Sequence, residues 1–145
     1  MISFRIGSIA EAAEAFNFLK PFMPTEQMAD LTEMLETENK SFVFDKLSEL
    51  TTTIINMPKT HETDGQYDNA IVYLHYFLGG YHAFITEKDM IEDEQNQAMG
   101  WATFGNGYGE LGYISIMELL ENNVEIDLYW TPKALTEAKK SVGCK

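Results

Sequence analysis

Three helical apolar stripes, followed by a series of short β-branched and aromatic segments, predict an α+β fold for this chain of 145 residues. Two helix-capping patterns and one diglycine turn mark where the principal elements begin. The expected architecture is three N-terminal amphipathic helices packed on a mostly antiparallel sheet of about five strands. A short helix precedes the last strand, and a further helix closes the C-terminus. A single domain over residues 1–145 accommodates this plan, with a helical part at 1–57 and a sheet part at 70–130.

The first helix opens at Ser8-Ile-Ala-Glu11, where hydroxyl and carboxylate can cap each other's amides. Ile9, Ala12, Ala13, Phe16 and Leu19 then form one stripe, and Pro21 and Pro24 end it. Thr25 is placed to cap a second helix, with Met28, Leu31 and Leu35 inward and Glu26, Asp30, Glu33 and Glu36 mostly outward. Val43, Leu47, Leu50 and Ile54 carry a third stripe as far as Pro58. The polar run 58–69 reads as a connector.

Beyond it, Ile71–Leu78 and Tyr81–Glu87 flank Gly79-Gly80 as a hairpin. Ala98–Phe104 and Glu110–Ser115 are the next strands, separated by Gly105-Asn-Gly-Tyr-Gly109. Ser115-Ile-Met-Glu118 caps a short helix that stops at Asn122-Asn123. Residues 124–130 alternate, with Val124, Ile126, Leu128 and Trp130 on one face, as expected of a strand. Thr131-Pro132 is a start signal for the terminal helix.

Charge narrows the function. The formal charge is −13; residues 131–145 carry a local +3, which leaves −16 on residues 1–130. Such a body repels nucleic acid and anionic membranes, because Lys and Arg neutralising phosphates drive that affinity. A basic protein partner fits instead. The single Cys144 excludes a disulfide framework and reads as a frayed, unreactive thiol near the C-terminus. The N-terminal run lacks the layout of a signal peptide, and no stretch approaches the roughly 20 apolar residues of a membrane span. A cytoplasmic location is the expectation.

Several of these segments resemble a domain-of-unknown-function family carried by plasmids, integrative elements and phages. The residues concerned are Thr86, Glu87 and Asp89; then Glu110, Leu111, Gly112, Tyr113, Ser115, Glu118 and Leu119; then Asp127 to Pro132. The likeness covers about half of the chain, roughly Met57 to Pro132. It departs where the family often places Arg before the Asp of the last strand, since Ile126 stands here. The resemblance implies a mobile-element or viral origin and a compact α+β fold, and it implies no reaction; no cofactor is expected.

Chemistry-bearing constellations are few. Pairing across Gly79-Gly80 sets Phe77 opposite His82 and His75 opposite Phe84, which makes the two histidines diagonal neighbours on one face. That face continues with Tyr73, Phe77, Phe84 and Thr86 and offers no carboxylate as a third ligand, so packing is the plain reading and a metal site is not expected. Together with Glu110 and Tyr113, the residues Tyr73, His75 and His82 make the candidate pocket. Glu87, Asp89, Glu92, Asp93 and Glu94 follow the hairpin without the glycine or ligand spacing of a calcium loop. With Glu125 and Asp127 they form the candidate acidic binding surface. The glycine-rich run leads into a strand rather than a helix, which makes it a turn and not a phosphate loop. Ser115 lacks a nucleophile elbow, and its capping role accounts for it.

The charge and the missing catalytic set predict a non-catalytic acidic binding protein, and the resemblance implies that it belongs to a mobile element or phage. Its expected target is a basic host protein that handles nucleic acid, engaged as a nucleic-acid mimic or anti-defence inhibitor. The alternatives are a small enzyme or ligand-binding module built on His75, His82 and the acidic loop, and an accessory domain that dimerises through its aromatic sheet.

Overall fold

The Ser8 cap forms as expected, but Glu11 reaches back to the amide of Gly7 rather than to that of Ser8. In a computed structural model describing residues 1–145, Ser8 Oγ accepts from the Glu11 amide, and the Glu11 carboxylate takes the Gly7 amide and the Ser8 hydroxyl, each at 3.1 Å. Helix α1 runs Ile9–Leu19, α2 Thr25–Met34 and α3 Lys40–Asn56. In α2 the expected cap is displaced by one residue. Pro24 occupies the N-cap with extended backbone and no side-chain bond, and Thr25 begins the helix.

A polar row on α3 holds the N-terminal arm. The backbone amides of Ile2, Phe4 and Ile6 donate to the side chains of Asn56, Thr52 and Ser48 at 2.8–3.0 Å. One helical step of four residues advances about 6 Å, and two residues of extended chain advance about 6.6 Å. The two repeats match, so the helix serves the arm as a strand partner would.

The sheet half begins with a single 3-10 turn, Tyr67–Asn69, followed by β1 (Ile71–Val72), β2 (Leu74–Leu78), β3 (Tyr81–Glu87), β4 (Ala98–Thr103) and β5 (Gly109–Ile114). Helix α4 (Ile116–Glu121), β6 (Glu125–Ile126), β7 (Lys133–Ala134) and α5 (Leu135–Ser141) complete the chain. Five strands form one antiparallel sheet in the order β5-β4-β3-β2-β6, and β1 pairs separately with β7. No helix is long and apolar enough to cross a membrane.

Two expectations near the C-terminus are corrected. The alternating segment 124–130 ladders only at Glu125 and Ile126, because the chain turns at Asp127, whose side chain accepts from the Tyr129 amide at 2.9 Å. Thr131-Pro132 does not start a helix either. Lys133 and Ala134 are recruited as a strand against β1, and α5 begins at Leu135.

The sheet is buried on both faces. One face, with Leu74, Tyr76, Ala83, Ile85, Ala98, Ile114 and Ile126, packs against the three N-terminal helices in a cluster of 21 buried residues. The other carries Phe84 and Trp101 beneath Leu135 and Ala138 of α5. Cys144 belongs to this second cluster at 3% exposure, so the frayed thiol expected from the sequence is instead a core residue.

Candidate functional site

The β2–β3 hairpin forms in the expected register, with Phe77 opposite His82 and His75 opposite Phe84. The histidines do more than share a face: His75 Nε2 lies 2.9 Å from His82 Nδ1. A carboxylate also arrives from outside the hairpin, which corrects the expectation that none would. β6 pairs with β2, and the turn behind it brings Asp127 Oδ2 to 2.9 Å from His75 Nδ1.

These distances fix the protonation pattern. The carboxylate calls for a hydrogen on His75 Nδ1, which leaves Nε2 of the neutral ring as an acceptor. His82 must then donate from Nδ1, and its Nε2 lone pair is the free end of the relay. Burial lowers the pKa of His75; the hydrogen bond to Asp127 and its charge oppose this, while His82 and Lys133 add to the lowering. Burial also lowers that of His82. Both rings are therefore held neutral at physiological pH.

The array has the order of a carboxylate–imidazole relay without its surroundings. Three of the four ring nitrogens are spent within it, and no group of three or more His, Cys, Asp or Glu side chains is placed to hold a metal ion. None of the four principal cavities is lined by His75 or His82. The largest, an open groove of about 960 Å³, lies between the N-terminal arm and residues 128–132. What surrounds His75 is aromatic: Phe84 at 4.9 Å, Trp130 at 5.0 Å and Phe77 at 5.6 Å.

The rest of the candidate pocket is dispersed. Tyr73 packs with the helix-side cluster, on the opposite face from His75. Glu110 and Tyr113 lie on β5, three strands from β2. Tyr113 is exposed there, and its hydroxyl meets His61 Nε2 at 2.7 Å.

The acidic surface needs a sharper correction. Glu87 and Asp89 are buried, at 2% and 7% exposure, and each organises a loop. Glu87 accepts from the amides of His61 and Thr63 and from the Thr63 hydroxyl. Asp89 accepts from the amides of Ile91, Asn96 and Gln97 at 2.9–3.0 Å. Burial alone would raise its pKa, but these backbone donors outweigh it and hold the carboxyl below the ordinary range. Between them, buried Lys88 donates to the Ile54 carbonyl at 2.7 Å, at the C-terminal end of α3. A carboxylate that can collect several backbone amides folds inward, and charge counting along a sequence does not register that option.

Of the predicted surface, Glu92, Asp93, Glu94 and Glu125 remain exposed, whereas Asp127 is committed to His75. A denser acidic stretch lies outside the surface expected from the sequence. Between Lys20 and Lys40 the chain carries Glu26, Asp30, Glu33, Glu36 and Glu38, all exposed, with no basic residue. None of the five forms an ion pair; the only lysine–carboxylate pairs in the molecule are Lys46–Glu49 and Lys139–Asp68. Their four-residue and seven-residue spacings on α2, together with the missing bases, were the readable signal.

The fold and site thus define an α+β domain with a partly buried carboxylate–imidazole relay and an acidic exterior. No family model, no curated protein and no solved structure matches the chain. Its motif residues have structural work in the fold: Thr86 donates to the Met99 carbonyl on β4, Glu87 and Asp89 tie loops to the sheet, Ser115 caps α4, and Asp127 forms the turn after β6.

Proposed function

We propose that this chain is a non-catalytic binding protein whose acidic exterior engages a basic surface on another protein. The observation that carries the reading is the run of exposed, unpaired carboxylates from Glu26 to Glu38, with Glu92, Asp93 and Glu94 as a second exposed, unpaired group. Unneutralised charge at this density speeds encounter with a cationic partner and disfavours anionic ones. Proteins that handle nucleic acid present cationic surfaces of this kind, and carboxylates can occupy them as phosphates would. The resemblance to a family of plasmids and phages supports placing such a partner in a host cell.

Affinity capture from host lysate at stepped ionic strength tests the proposal. Basic proteins should be retained at low salt and released as salt rises. Retention indifferent to salt would remove the electrostatic reading.

The Asp127–His75–His82 array favours a second reading, a small-ligand or catalytic module with His82 as the base. A ligand whose binding is lost in His82→Ala, with the fold intact, would establish it.

A further inference from the structure

β5 has an open outer edge. Its inner side is laddered to β4 from Gly109 to Ile114, and the far margin of the sheet is only the two-residue β6. No other backbone hydrogen bond involves residues 110–114, so alternate amides and carbonyls along the outer side lack a protein partner. Proteins usually blunt such an edge with lysine, proline, a bulge or a covering element. Here the strand Gly-Glu-Leu-Gly-Tyr-Ile carries one charge, Glu110, and leaves Leu111 and Tyr113 exposed.

Beside that edge a cavity of about 320 Å³ opens between the connector and the sheet. Met99, Leu111 and Tyr67 give it apolar walls, and Asp64 and Glu87 give it carboxylates; no lysine or arginine lines it. Buried Glu87 has no cation within ion-pair distance, but its oxygens already accept from His61 and Thr63; the Asp64 carboxylate is exposed and reaches only the His61 ring.

We propose that the outer edge of β5 takes up an extended basic segment of the partner protein as an additional strand, with one arginine or lysine side chain reaching over Leu111 into the carboxylate-lined cavity. The proposal rests on the acidic-binding reading and gives it a location. An added strand would lie about 4.8 Å from β5, so its side chain can cross Leu111 to the mouth of the cavity, where Asp64 is the exposed carboxylate; Glu87, on β3, lies two strands farther in. Ladder bonds then supply affinity and the cavity supplies side-chain selection. A second copy of this chain is the competing occupant, but it carries −13 itself, so edge-to-edge pairing brings like charges together, whereas a cationic strand gains from the same field.

The test mixes the full chain with a fluorescein-labelled peptide alternating arginine and valine, and with forms N-methylated at every second residue in either register. The unmodified peptide should bind at least tenfold more tightly than the form blocked on its bonding edge, roughly 1.4 kcal/mol. Outer-edge amides of β5 should gain hydrogen-exchange protection. Leu111→Lys combined with Asp64→Lys should weaken binding by about tenfold without lowering the melting temperature. Equal affinity for all forms, with no new protection on β5, overturns strand addition, while salt-dependent binding of those peptides leaves the acidic-surface reading standing. Absence of binding to any of them at low salt overturns both. Protection of β5 that grows with protein concentration and needs no peptide identifies a second copy as the occupant and overturns the proposal.

Discussion

The two faces of the sheet are both buried, yet they are held by different physics. The helix-side face is mostly aliphatic, with Tyr76 its one fully buried aromatic, and has small residues at its centre (Ala83, Ala98, Gly100 and Ala102), of which Gly100 lies closest to the adjacent backbone. The opposite face is polar and aromatic. It contains the Asp127–His75–His82 relay, Trp130 donating to the Val72 carbonyl at 3.0 Å, and two lysines over indoles: Lys133 above Trp130 at 4.5 Å and Lys139 above Trp101 at 5.2 Å. Shape governs the first face; proton placement and long-range pairing govern the second. The basic C-terminal segment belongs to this second scheme, since two of its lysines are engaged there and Lys139 also pairs with Asp68 at 2.7 Å.

The strongest way to break the first face is to add a methyl group where it has no room. A Cβ on Gly100 would lie 2.0 Å from the Phe84 carbonyl oxygen and 3.0 Å from the Ile85 Cα, both backbone atoms in the adjacent strand. Gly100→Ala should therefore destabilise the protein by about 3 kcal/mol, read as a shift in the denaturant midpoint.

The second face should break through its hydrogen bonds. Asp127→Ala leaves the buried Nδ1 hydrogen of His75 and the Tyr129 amide without their acceptor, at a cost of about 2 kcal/mol in chemical denaturation. This face should also respond to acid. Because the folded-state pKa values of His75 and His82 lie below the ordinary 6.5, the unfolded chain binds protons first as pH falls. Stability is complete above that value and declines below it. Asp89, held below 3.8, adds a second loss in the more acidic range. His75→Gln should flatten the first decline and leave the second in place.

How far the sequence revealed each face follows from the same contrast. The helical stripes and the diglycine register were legible because they depend on local periodicity and turn chemistry. Asp127, Cys144 and Lys139 reach their partners from 52, 41 and 71 residues away, and no local pattern encodes those meetings. Glu87 and Asp89 were misplaced for a related reason: their solvent was replaced by backbone amides of loops whose path depends on the finished fold. The cap at Ser115 lies at the local extreme. Its hydroxyl accepts from the Glu118 amide at 3.2 Å, so Ser115→Ala should cost about 1 kcal/mol, the smallest of these effects, with partner binding retained.

On this account the exposed carboxylates bind and the partly buried relay supports the fold. Parallel affinity capture with two variants tests it most directly: Glu26, Asp30 and Glu33 changed together to Lys, and His82→Ala. Basic partners retained by the wild type and by His82→Ala but lost from the charge-reversed protein are the predicted result. Partners that survive the reversal and disappear with His82→Ala, while both variants remain folded by circular dichroism, would contradict it.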